Sequence, residues 1–406
     1  MIGTMAHFIP RYNWDYRLPD LSKALMSLAG RSNMLEDALS GALNGIFGHE
    51  PVLTTSGRAS LWAILKSLGI PEGSRIGVPL FCCPVVFEVI REAGFIPEFL
   101  DIREDSYTVS AEDIARKSGE LAAVVVVHMF GNPADMAEIC AASGKIPIIE
   151  DCAQALFSRR GGRLVGFDSN ASFFSFRSGK YISAGEGSAI FTANDALLSS
   201  LRRIVDRYDT WSLPGQLKHC VSTYGKSLFY RRPLYGLFGR SLGTFLDSRL
   251  NLTAKSGISL KKIAGTDARI IADRLPDFQA RVDQQRSNAL KLLSLLSGLE
   301  VGLPRERPSS EGNFYQFIMR FGSSNERDFM CSRLAYAGVD TARYLDDVVE
   351  TARGLYGYTG DCSVSETCSR TILSIPHYYT LSGSIDAIAE AIADAHRSYR
   401  SLSKRR

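Results

Sequence analysis

The chain has 406 residues, of which 45% are hydrophobic, 10% aromatic and 22% charged, and its formal charge is +4 at pH 7. That composition belongs to a globular protein large enough for more than one core, and it excludes disordered, collagen-like and strongly polyanionic chains. Eight cysteines without a Cys-x-x-Cys spacing indicate neither a disulfide framework nor a zinc site, and without a signal-like segment or a long uncharged apolar run the expected location is cytoplasmic.

Residues 20–47 carry helical periodicity. The next segment, Thr54-Thr55-Ser56-Gly57-Arg58-Ala59-Ser60, precedes an apolar helical run from Leu61 to Leu68. Small residues there leave backbone N–H groups open at a helix N-terminus, which suits either an anion or an ordinary capped start. Residues 50–200 alternate helix and strand. Ala122 to His128 and Ile146 to Glu150 are continuous apolar runs, as expected for strands of a parallel sheet buried on both faces. The second run ends in Glu150-Asp151, where ligands of open α/β sheets bind. A carboxylate at such a strand end either caps the next helix or faces a cofactor. Gln154 follows three residues later.

Phe173, Phe174 and Phe176 alternate with small residues in a strand-like period, and Ser175 is among them. Lys180 lies between this segment and a second strand, Ser188 to Thr192, which the turn Gly185-Glu186-Gly187 introduces. A lysine held between apolar walls loses proton affinity and becomes a usable nucleophile, whereas an exposed loop lysine does not.

Residues 201–265 hold twelve Lys or Arg against three Asp, a formal +9 on a chain of +4. Within them, residues 224–240 interleave aromatics with cations. Three readings remain open: peripheral contact with an anionic membrane, a mouth for a nucleotide diphosphate, or an insertion packed on a dimer partner. No recognised fold accompanies the basic run, so nucleic acid is not an expected partner. Beyond it, Asn313 to Phe321 is strand-like, while Glu326 to Ala337 and Ser384 to Leu402 are helical.

In order, Ser56-Gly57-Arg58-Ala59, Val78-Pro79, Gly94-Phe95-Ile96-Pro97, Val127 to Met136, Glu150-Asp151-Cys152-Ala153-Gln154-Ala155, Phe174-Ser175-Phe176, Lys180 and Gly185-Glu186-Gly187 make the chain resemble the DegT/DnrJ/EryC1/StrS aminotransferases. The resemblance implies an α/β protein of the pyridoxal phosphate (PLP) transferase fold type I, with a mostly parallel seven-stranded sheet between helices. It implies a cofactor domain over 1–200, a helical insertion over 201–265 and a smaller C-terminal α/β domain over 266–406. Carried over by position, Lys180 is the Schiff-base lysine and proton shuttle, Asp151 faces the pyridinium nitrogen, Gln154 lies by the 3-hydroxyl, and Gly57, Arg58 and Ser175 hold the phosphate. Cys83 occupies the position where relatives stack an aromatic residue on the ring, with Phe81 as the other candidate. The implied reaction moves an amino group from an amino acid, commonly glutamate, to a nucleotide-linked keto sugar, in a homodimer with no metal. A non-catalytic relative that keeps the fold is the alternative, and retention of Lys180 argues against it.

Overall fold

Seven short strands build the central sheet: β1 (Val52–Thr54), β2 (Arg75–Pro79), β3 (Ile96–Leu100), β4 (Leu121–Val127), β5 (Ile148–Asp151), β6 (Ala171–Ser175) and β7 (Ser188–Phe191). The computed structural model describes residues 8–239 and 257–403. The strands lie in the order β1-β7-β6-β5-β4-β2-β3, and only β7 runs against its neighbours. Val124, Val125 and Val126 of β4 are all fully buried, so both faces of the strand are covered, as its unbroken valine run predicts. Register sets Asp151 opposite Val127 of β4 and Phe173 of β6, at the carboxyl edge of the sheet.

The single helix expected over 20–47 is two helices, α1 (Leu18–Ser27) and α2 (Ser32–Phe47). The Leu28–Arg31 turn between them contains Gly30, a poor helix former, and lets both helices pack on a later one, α5 (Gly265–Arg274). Helix α3 (Gly57–Ser67) starts earlier than its apolar run, because Ser56 caps it by accepting a 3.3 Å hydrogen bond from the Ala59 N–H. Ala59, Ser60, Leu61, Ala63, Ile64 and Leu65 of this helix are buried.

Part of the basic segment forms α4 (Leu213–Phe229), which packs on α1 and α5. The rest of that expectation, over 240–256, lies outside the described residues, as does the tail 404–406. Helix α6 (Phe278–Leu296) leads into a smaller antiparallel sheet of β8 (Phe317–Arg320) and β9 (Ile372–Ile375). Helices α7 (Ser324–Tyr336) and α8 (Ile385–Ser403) cover it, and Phe317, Met319, Leu334, Leu373, Ile388 and Ile392 share one apolar cluster there. The strand expected from Asn313 begins only at Phe317. Asn313 leaves the pleat because its amide donates to the carbonyls of Gln154 and Leu156, at 3.0 and 2.8 Å. Among the described residues no helix is long and apolar enough to cross a membrane.

Candidate active site

Three loops meet at the carboxyl edge of the sheet. The first is the start of α3. A Cβ placed on Gly57 would lie 3.2 Å from the Phe173 ring and 3.7 Å from Cβ of Ser175, so the helix N-terminus and the end of β6 approach closely where the chain has a glycine. The start of α3 and Ser175 thus bound one small site, with Gly57 and Arg58 half-buried at it. Behind them, Thr54, Ser60 and Ser188 form a buried chain of hydroxyl contacts, each 2.8 Å long, that fixes α3 to β7.

The second loop follows β5. Asp151 is buried, and its Oδ1 accepts a 2.9 Å hydrogen bond from the Ala153 N–H, so it also serves the local capping role open to it in the sequence. Burial raises its proton affinity, with the Ala153 N–H and the Lys180 charge opposing the shift.

The third is the long connection from β6 to β7, which carries Lys180. Phe176 and Ala184, and Ser178 and Gly185, are joined across it by backbone hydrogen bonds of 3.0 and 2.9 Å, and the Gly187 N–H donates to the Thr55 carbonyl at 2.7 Å. The lysine loop and the α3 loop are therefore tied directly. Lys180 Nζ stands 4.8 Å from the centroid of the Tyr315 ring, whose hydroxyl donates to the Gly179 carbonyl at 2.9 Å. Burial lowers the Lys180 pKa to about 8, against the attraction of Asp151 and with the repulsion of Arg177. An amine at that pKa has a far larger unprotonated fraction near neutrality than an ordinary lysine, which is what a nucleophile and proton shuttle requires.

Phe81 is fully buried and packs on Tyr107 and Phe130, whereas Cys83 is exposed and close enough to Lys180, Tyr315 and Tyr344 to influence their titration. Of the two candidates for the ring face, Cys83 is the one beside the lysine. The Gln154 carboxamide accepts from the Phe130 N–H at 2.9 Å and donates to the Tyr344 hydroxyl at 3.3 Å. Tyr344 opens the run Tyr344-Leu345-Asp346, which departs from the histidine-tyrosine-proline of the family that the chain resembles, whereas nothing in the sequence marks Tyr315 for the site. The aromatic and polar run Asn313-Phe314-Tyr315-Gln316 was the available signal, but it read as strand.

One arrangement explains part of the insertion. Gly185 has φ of +118°, and a Cβ there would meet His219 Nε2 at 2.7 Å and Asp267 Oδ1 at 2.9 Å. His219 of α4 and Asp267 of α5 lie 3.1–3.2 Å apart and brace the turn that closes the lysine loop. Burial pushes the His219 pKa down, but the Asp267 charge and hydrogen bond outweigh it and hold the pKa above the usual 6.5. Lys226 and Glu186 also act on the ring. A raised histidine stabilises the fold below its unfolded pKa and loses that contribution as pH rises through the folded one. His219→Ala is therefore expected to destabilise the protein by about 3 kcal/mol near pH 6 and by much less near pH 9, read by urea denaturation at both. An equal loss at both would show that the pair is not ionic.

His128, Glu150 and Cys152 have candidate ligand atoms within 4.8 Å of one another. His128 and Glu150 are already engaged: the Ala134 N–H donates to His128 Nδ1, Nε2 meets Glu150, and Glu150 accepts from the N–H groups of Gly166 and Asp168. The His128–Glu150 pair thereby braces the strand end that carries Asp151.

Known proteins resemble the chain in both sequence and fold. GDP-perosamine synthase of Vibrio cholerae is 32% identical over 154 residues, 37% of this chain and 42% of that protein. A UDP-N-acetyl-3-dehydro-alpha-D-glucosamine 3-aminotransferase of Acidithiobacillus ferrooxidans is 26% identical over 388 residues, covering 93% of this chain and 92% of its own. The Escherichia coli GDP-4-keto-6-deoxy-D-mannose-3-dehydratase solved with bound hydrated PLP shares the fold at a TM-score of 0.74 and 16% identity, over 95% of this chain and 100% of that one. Through a match that runs from residue 31 to residue 393, the chain belongs to the DegT/DnrJ/EryC1/StrS aminotransferase family.

Proposed function

We propose that the protein is a PLP-dependent sugar aminotransferase that takes an amino group from L-glutamate and delivers it to a keto sugar carried on a nucleoside diphosphate. The observation that carries this reading is a lysine with its pKa lowered to about 8, held on a braced loop within the field of a buried aspartate. The residues suit the cofactor: the crowded glycine at the start of α3 and the adjoining Ser175 fit a phosphate, and buried Asp151 fits a ring nitrogen. The relatives named for GDP- and UDP-linked sugars support the acceptor class.

When bound, PLP supplies the carbonyl that carries the amine and the electron sink for the carbon being deprotonated. The chain's own groups do the rest. Lys180 Nζ would move a proton between the substrate carbon and the cofactor carbon that receives the amine, and its lowered pKa suits it to act as both base and acid near neutral pH. Asp151 holds a proton on the ring nitrogen. Gly57, Arg58 and Ser175 would hold the phosphate, Gln154 would serve the 3-hydroxyl, and Cys83 would stand by the ring. Beside Lys180 opens a cleft bounded by Arg11, Tyr12, Asn13, Tyr315, His377 and Tyr378, which takes the two substrates in turn. On the strength of the resemblance, the working form is a homodimer, with residues 1–200 as the cofactor domain and 266–406 as the smaller one.

The test is a half-reaction. Protein loaded with PLP and freed of excess is mixed with L-glutamate, and 2-oxoglutarate and the visible absorbance are followed. The expected result is stoichiometric 2-oxoglutarate with loss of the visible band. A band indifferent to glutamate removes that donor. No band, with Lys180 unmodified after borohydride, leaves the non-catalytic relative as the reading.

A further inference from the structure

The basic segment has a surface that the catalytic reading does not use. From residue 210 to residue 246 the sequence contains no Asp or Glu, while Lys218, Lys226, Arg231, Arg232 and Arg240 fall within it. Its described part divides into two faces. Cys220, Thr223 and Ser227 of α4 are buried, and the Ser227 hydroxyl donates to the Tyr16 carbonyl at 2.6 Å. Tyr230 stacks on Trp14 at 4.7 Å, Arg231 donates to the Tyr16 carbonyl, and the Tyr235 hydroxyl meets Asp340. These aromatics, grouped by the sequence with interfacial residues, serve packing and fix the helix rigidly.

Along the exposed flank of the same segment, apolar residues are unusually open. Leu213, Leu217 and Val221 recur at one-turn spacing and are 58%, 45% and 49% exposed. Phe229, Leu234, Leu237 and Phe238 continue the exposed set. Of the seventeen large apolar side chains exposed among the described residues, these seven fall within 26 consecutive positions. The adjoining α1 adds Leu18, Leu25 and Met26, also exposed. Lys218, Lys226 and Arg232 are exposed around this face. Single exposed leucines are ordinary, but an aligned set this large with a cationic border is not.

We propose that this face is a docking surface for an anionic lipid bilayer, with the apolar side chains of α4 and residues 229–238 set into the headgroup region and the lysines and arginines against lipid phosphates. Charge decides between a membrane and a second copy. Pairing this segment with itself would bring the cations of two copies together with no carboxylate from 210–246 between them, whereas an anionic bilayer supplies both the apolar and the negative complement. The surface borders the Lys180 cleft, since Tyr230 stacks on Trp14 beside Gly179 and Arg232 is close enough to Tyr378 to influence its titration, but flotation reads the lipid contact without turnover.

The experiment floats the full-length PLP-loaded protein with vesicles of phosphatidylglycerol and phosphatidylcholine, and with pure phosphatidylcholine. Two variants accompany it, Leu217→Ser/Val221→Ser/Phe229→Ser/Phe238→Ser and Lys218→Glu/Lys226→Glu/Arg232→Glu, with circular dichroism and light-scattering mass on each. The expected result is flotation with the anionic vesicles only, abolished by high salt and reduced at least tenfold in both variants, at unchanged mass. Should the apolar variant fail to fold, the charge-reversal variant, whose sites are all exposed, carries the test. Equal flotation of wild type and variants overturns the proposal, as does flotation with neither vesicle. A fall of the apolar variant to half the wild-type mass also overturns it and assigns the face to a second copy.

Discussion

Replacing Lys180 by alanine is expected to abolish amino transfer, by about four orders of magnitude or more, while making the folded chain more stable near neutral pH. The two effects have one cause. In the fold the ammonium form of Lys180 is disfavoured by burial, and its pKa falls from 10.5 to about 8. For a base with a lowered pKa the penalty on folding is complete below the folded pKa and fades as pH rises toward the unfolded one. Denaturation of wild type and variant at about pH 7 should therefore show a gain of roughly 1–3 kcal/mol for Lys180→Ala, less the packing lost with the side-chain stem. Near pH 10.5 the gain should vanish. The visible band of the loaded protein should be missing in the variant. Turnover near the wild-type rate would sink the assignment of Lys180, and a stability gain independent of pH would show that burial does not lower its pKa.

The parts of this arrangement that were legible in the sequence are those decided locally. A run of valines reports a strand buried on both faces, and an acidic pair ending the next apolar run places Asp151 at the sheet edge, because strand direction carries side chains to that edge whatever the connections are. Lys180 and Gly185 stand out in the same way, one as a charge in an apolar neighbourhood and the other as a break before a strand. Partners distant in sequence were not legible. His219 and Asp267 lie 48 residues apart and belong to different helices, so nothing in the spacing of either announces that they meet over Gly185. Tyr315 reaches Lys180 from 135 positions away, and Tyr344 reaches Gln154 across 190. The insertion shows a further limit. Its aromatics and cations form one pattern in sequence, yet Tyr230 and Tyr235 turn inward while Phe229 and Phe238 remain exposed, a division that only the anchoring of α4 on Tyr16 and Trp14 imposes.

Asp151→Asn tests the other half of the site, because it preserves size and hydrogen-bonding ability while removing charge. The carboxylate is buried beside Cys82 and Cys152 and retains its charge at a penalty, which is why its proton affinity is raised. An asparagine at the same place accepts the Ala153 N–H equally well, so the turn after β5 and the binding of PLP are expected to survive. What it lacks is the negative charge that holds a proton on the ring nitrogen, and a loss of roughly 10²–10³ in turnover is expected with little change in cofactor affinity. The stability sign is opposite to that of an ordinary surface aspartate. An acid with a raised pKa burdens the fold above that pKa and is relieved as pH falls through it, so Asp151→Asn should be the more stable protein at neutral pH and should converge with wild type in acid. Steady-state rates, PLP titration and melting curves at two pH values separate these effects. A near-wild-type rate removes the ring-nitrogen role, and loss of PLP binding together with the rate would mean that Asp151 holds the cofactor in place rather than tuning it.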